Sequence, residues 1–93
     1  MNLAAYLGSH DDFLNVTQKL GRPATDRQQE TGTIFYRVLG YPEHKYSVIL
    51  MGRDAGSMTY IGAMDQDWHP IHAVNSQTES LLRQLPATMR SDK

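Results

Sequence analysis

Phe13, Val16, Thr17 and Leu20 recur at i, i+3, i+4 and i+7, the spacing that lays side chains along one face of an α-helix. The stretch "SHDDFLNVTQKLGRP" carries both punctuation marks of such a helix. Ser9 reads as the N-cap, Asp11 and Asp12 fall in the first turn, and Gly21 followed by Pro23 ends it. A short helical turn from Leu3 to Leu7 is expected to precede it, with Gly8 as the joint. Residues 22–32, "RPATDRQQETG", show no apolar periodicity and predict an exposed connection.

From Thr33 the period changes to two. "TIFYRVL", "YSVILMG", "SMTYIGAM" and "HPIHAV" are β-branched and aromatic runs, separated by turn formers at Gly40-Tyr41-Pro42, Asp54-Ala55-Gly56 and Asp65-Gln66-Asp67. Connections this short make hairpins, so the four strands predict an antiparallel meander. Pro70 lacks a backbone donor and marks the fourth strand as an edge. In "NSQTESLLRQLP", Ser76 and Glu79 have capping-box spacing, Leu81, Leu82 and Leu85 form an apolar stripe, and Pro86 closes the helix.

The sum is a single α+β domain, residues 1–93, of order α-β-β-β-β-α: an N-terminal helical segment (1–21), a polar connection (22–32), a four-stranded sheet (33–75), a C-terminal helix (76–86) and a frayed tail (87–93). Helices at both ends of an antiparallel sheet predict a two-layer sandwich, with both apolar stripes on one face. Yet alternation sets Ile34, Tyr36 and Val38 against Phe35, Arg37 and Leu39, Tyr46, Val48 and Leu50 against Ser47, Ile49 and Met51, and Met58, Tyr60, Gly62 and Met64 against Thr59, Ile61 and Ala63, and neither set is properly polar. A sheet with one solvated face alternates cleanly between apolar and polar. Part of the second face is therefore expected to be covered, by one of the terminal helices, by the sheet curling around its own side chains, or by a partner. Tyr, Trp and Met are enriched in binding surfaces, so Tyr36, Tyr46, Met58, Tyr60, Met64 and Trp68 are the candidate interface residues.

Composition bounds the function. A chain of 93 residues buries roughly 60–65 % of its unfolded surface, enough for one core. Nine Lys and Arg nearly balance ten Asp and Glu, and a formal charge of −1 gives no reason to expect a polyanion partner. Arg37, Lys45, Arg53 and the tyrosines offer only a sparse nucleic-acid pattern. The absence of cysteine excludes disulfides, thiolate metal sites and a cysteine nucleophile. The N-terminus has no basic n-region, and no apolar run approaches the ~18 residues of a membrane span. As written the chain reads as cytoplasmic, although a mature exported domain given a new initiating Met would read the same.

The densest chemistry is "DQDWHPIH", residues 65–72. Asp65 and Asp67 belong to a hairpin turn, whereas His69 and His72, three apart on a strand, point to opposite faces. Pro70 excludes a helix interior, where His-x-x-His would converge. The segment reads first as a turn and an edge strand capped by Trp68. A second reading makes it a metal-binding or hydrolytic set of Asp65, Asp67, His69 and His72. "GSH" at 8–10 lacks a third orienting group for a nucleophile pair. "GRDAGS" at 52–57 precedes a strand and has no Lys, unlike a phosphate loop, and His44 reads as an exposed turn residue.

The helix stop V-x-x-x-L-G-x-P, followed by a polar connection and strands with an early aromatic, is carried here by Val16, Leu20, Gly21, Pro23 and Tyr36. Over residues 10–64 it resembles the beginning of the fold shared by the outer-membrane assembly lipoprotein BamE (SmpA/OmlA type) and the β-lactamase inhibitor protein repeat. The chain departs from that pattern in having no lipobox Cys, no G-M-[ST] at the helix start and an additional C-terminal helix. The resemblance implies a non-enzymatic scaffold that presents its sheet to a protein partner. Together these features predict a protein-interaction module, with a homodimer as one form and no cofactor. Binding of a small ligand or of nucleic acid is a weaker expectation from the same pattern.

Overall fold

The structure, a computed structural model, describes residues 7–54, 56–86 and 89. The helical turn expected from Leu3 and the tail beyond Pro86, Met89 excepted, lie outside the described residues. Helix α1 (Phe13–Leu20) starts later than Ser9, because Asp12 is the N-cap and its carboxylate accepts the Asn15 N–H at 3.0 Å. The Asp11 carboxylate instead accepts the Gly8 N–H at 2.8 Å and ion-pairs with Lys19 at 3.3 Å. Gly21 ends the helix at φ 90°, donating its N–H to the Thr17 carbonyl. The residue after a helix commonly needs a positive φ, which glycine supplies without a Cβ clash.

The fold is α+β, as the pattern predicts: an antiparallel meander with a helix at each end. The sheet has five strands in sequential order, β1 (Thr25–Thr31), β2 (Ile34–Tyr41), β3 (Tyr46–Gly52), β4 (Thr59–Asp65) and β5 (Pro70–Ala73), followed by α2 (Ser76–Gln84). The expected count of four is corrected by β1, which occupies most of the expected connection. Its side chains are mostly exposed on both faces, so no apolar alternation announces it. It is held instead by backbone pairing with β2 from Thr25↔Gly40 to Thr31↔Ile34, closed by the two-residue turn Gly32-Thr33 with Gly32 at φ 64°. Arg37 reinforces the pair through two bonds to the Asp26 carboxylate, at 2.8 and 2.6 Å, while its guanidinium lies 3.8 Å above the Phe13 ring of α1.

Both faces carry a core. On one, Val16 and Leu20 of α1 pack with Leu39, Tyr41, Tyr46, Val48, Leu50, Met58, Tyr60 and Ala63. On the other, Leu82 and Leu85 at the α2 end pack with Tyr36, Val38, Ile49, Ile61, Met64 and Met89. The helices thus take opposite faces instead of sharing one, which explains why both alternating sets are apolar. Strict alternation fails within β4. Ile49 pairs with Gly62 but Leu50 with Tyr60, leaving Ile61 as a bulged extra residue. After the bulge Met64 lies with the α2 cluster and Ala63 with the α1 cluster. A second shift, Ala63↔His72 against Met64↔Pro70, bulges Ile71 outward. Helix α2 is capped one residue earlier than expected: Asn75, not Ser76, is the N-cap, and it makes a reciprocal capping box with Thr78.

Candidate functional site

Five of the six candidate interface residues are core. Tyr36, Tyr46 and Met58 keep 6, 8 and 5 % of their surface exposed, and Tyr60 and Met64 none. Their apolar area is spent inside the chain on the two helix-covered faces, so the interface expected from the sequence is corrected for these five. Each tyrosine that contributes to the core is also shifted away from ionising. Burial pushes the Tyr41 phenol up to about 12, and it raises Tyr36, Tyr46 and Tyr60 as well. Two of these hydroxyls brace the edges of the core. Tyr41 donates to the Gly21 carbonyl at 2.9 Å, and the Tyr60 hydroxyl lies 2.5 Å from His72 Nδ1, their rings stacked at 5.6 Å. Burial holds the His72 imidazole below its ordinary pKa, which favours the neutral ring beside the Tyr60 hydroxyl.

The metal set read from the sequence divides. Asp65, Asp67 and His69 bring ligand-capable atoms within 4.8 Å of one another, with His69 Nδ1 3.9 Å from the Asp65 carboxylate. His72 turns to Tyr60 and takes no part. Asp65 also has local work, since its Oδ1 accepts the N–H groups of Asp67 at 2.9 Å and His69 at 2.8 Å. Those bonds organise a three-residue hairpin loop, in which Trp68 N–H donates to Asp65 O and Asp65 N–H to His69 O.

That loop places Trp68 at φ 66°, in the left-handed region where a bulky residue is about 1 kcal/mol or more worse than glycine. What the strain secures is the position of the indole. The ring packs against the α2 cluster and donates its Nε1–H to the Leu85 carbonyl at 3.2 Å, joining the hairpin to the end of α2. Lys45, which ends the 3-10 turn Pro42–His44, is at φ 64°. It and Trp68 are the two non-glycine residues with positive φ among the described residues. Both line one cleft.

The cleft, about 400 Å³, crosses the turn end of the sheet. Thr25, Gly40 and Ser47 line it with Pro42, Lys45, Tyr46 and the 65–68 turn. Its origin is a row of small residues. Thr25 pairs with Gly40 and Gly40 with Ser47, so three neighbouring strands present no bulky side chain beside Trp68. Sequence reasoning flagged Trp68 and its turn but missed Thr25, Gly40 and Ser47. Their alignment is a matter of register, which becomes visible only once β1 is known to be a strand. Comparison with protein-family models, with curated proteins and with solved structures gave no match for this chain.

Proposed function

We propose that this domain is a non-enzymatic protein-interaction module that receives an extended segment along the outer edge of β1, a second copy of the chain being one such segment. The single observation that carries the reading is the combination of two covered sheet faces with one seven-residue, proline-free edge strand whose register with β2 is unbroken. The other edge, β5, is four residues long, opens on Pro70 and is bulged at Ile71, features that blunt strand addition. Pairing of β1 starts from the two-residue turn, where Thr31 and Ile34 form a bonded pair. Alternation then directs the backbone groups of Thr25, Arg27 and Gln29 toward β2, and those of Asp26, Gln28 and Glu30 outward. An added strand uses those outward groups. The resemblance of Val16, Leu20, Gly21, Pro23 and Tyr36 to the BamE-type pattern supports the same class of function, a scaffold that presents its sheet.

Gln28→Pro tests this, because it removes an outward donor without removing a β1–β2 bond. Light scattering coupled to size exclusion is expected to give a dimer for the wild type and a monomer for Gln28→Pro. If both are monomers, the two are compared as baits. Proteins retained by the wild type and lost from Gln28→Pro support the edge, and equal retention rules it out. A second reading, divalent-metal binding, is favoured by the convergence of Asp65, Asp67 and His69. Calorimetry with Zn(II) and Mn(II) decides it: heat that disappears in His69→Ala supports the reading, and no heat with either metal discards it.

A further inference from the structure

We infer that the cleft at the turn end of the sheet is a pocket for a basic side chain, a guanidinium or ammonium on an aliphatic stem. Its volume of about 400 Å³ falls in the range of small-ligand sites, and the half-buried Trp68 stands in the lining, while the Tyr41 and Tyr46 rings are packed away in the α1 cluster. Its formal charges, among the described residues, are Asp65 and Asp67 against Lys45, so the lining is negative by one. Asp65 is committed to its own turn through Oδ1. The Asp67 carboxylate is exposed and makes no hydrogen bond or ion pair with a described residue, which leaves it available to an incoming cation. Negative charge beside the Trp68 indole favours a cation over a neutral or anionic group, and an aliphatic stem suits the indole and Pro42 in the lining. Thr25 and Ser47 add hydroxyls on the small-residue row, where a guanidinium finds further acceptors.

The position of the pocket links it to the edge. Thr25 is both the first residue of β1 and part of the lining, so a segment running along β1 passes the mouth of the cleft. The inference rests on the β1 reading only for how the side chain is delivered, and the pocket itself is testable without a strand. Trp68 is the one tryptophan of the chain, so its fluorescence reports on this site alone. The probes are N-acetyl-L-arginine methylamide, its neutral isostere N-acetyl-L-citrulline methylamide and the anionic N-acetyl-L-glutamate methylamide, titrated at constant ionic strength with EDTA present.

The arginine probe is expected to change Trp68 emission saturably, the citrulline probe to bind about tenfold more weakly, as loss of a cation contact at an aromatic and anionic site implies. Asp67→Asn should weaken arginine binding severalfold while its unfolding transition matches the wild type. No saturable change with arginine, equal binding of citrulline or glutamate, or an unaffected Asp67→Asn overturns the inference. Gln28→Pro keeps arginine-probe binding if the pocket is as described, whatever happens to strand addition. A dimer or partner complex lost in Gln28→Pro, alongside a silent arginine titration, would sink the pocket and leave the edge standing.

Discussion

Gly62 shows how much a single hydrogen atom in place of a methyl group can decide. It lies beside the bulge in β4, under Leu82 of α2. A Cβ there would stand 2.5 Å from the His72 carbonyl oxygen and 2.5 Å from Leu82 Cδ1. The carbonyl belongs to the backbone of β5 and cannot yield as a flexible side chain could. Overpacking of this kind costs about 2 kcal/mol, so Gly62→Ala should lower the urea midpoint accordingly. Gly56→Ala, whose Cβ would come no closer than 3.6 Å to the Asp54 carboxylate, should leave the midpoint nearly unchanged and serves as the control. The same residue-scale logic separates Trp68 from the other aromatics. Tyr36, Tyr46 and Tyr60 fill the core in ordinary strand positions, whereas Trp68 is held in a conformation that suits glycine better.

The elements are stabilised by caps whose owners the structure identifies. At the start of α2, Asn75 Oδ1 accepts the Thr78 N–H at 2.9 Å while Thr78 Oγ1 accepts the Asn75 N–H at 3.1 Å. Asn75→Ala should therefore cost about 1 kcal/mol and lower Tm by about 5 °C, a loss readable by thermal denaturation. Ser76→Ala, at the position the S-x-x-E spacing points to, should stay within about 0.5 kcal/mol of the wild type. Both helices, β3 through its full length and most of β2, β4 and β5 were legible because their apolar spacing follows a burial period. The sequence stretch that became β1 was not, since "TDRQQET" buries neither face and its strand character comes from pairing with β2. The Gly32-Thr33 pair between Thr31 and Ile34 was the available signal, a glycine-first two-residue turn. The interface residues misled for a related reason. Tyrosine and methionine are enriched in binding surfaces, but they also fill a core that has two faces to supply, and alternation alone does not show that α1 and α2 divide those faces between them.

At the scale of the whole molecule, the two halves of the core are joined through β4, and the outer strand beyond it is held by a titratable contact. Tyr60, buried in the α1 cluster, reaches His72 Nδ1 on β5 through its hydroxyl. Strand β5 in turn carries the chain into α2, which packs on both β4 and β5. Burial lowers the His72 pKa below its ordinary value of 6.5, so the folded state takes up this proton less readily than the unfolded chain. The stabilisation is complete above pH 6.5 and declines as pH falls through the folded-state value, because burial disfavours the charged ring. Urea midpoints of the wild type should therefore drop between pH 7.5 and 5.5. His72→Asn offers an amide oxygen near the place of Nδ1 and does not titrate, so its midpoint should be lower at pH 7.5 but flatter across the same interval. The difference between the two slopes isolates His72 from His10, His44 and His69, which both proteins retain. Parallel slopes would mean that the proton taken up on unfolding belongs elsewhere, and that the Tyr60–His72 contact positions β5 without coupling it to pH.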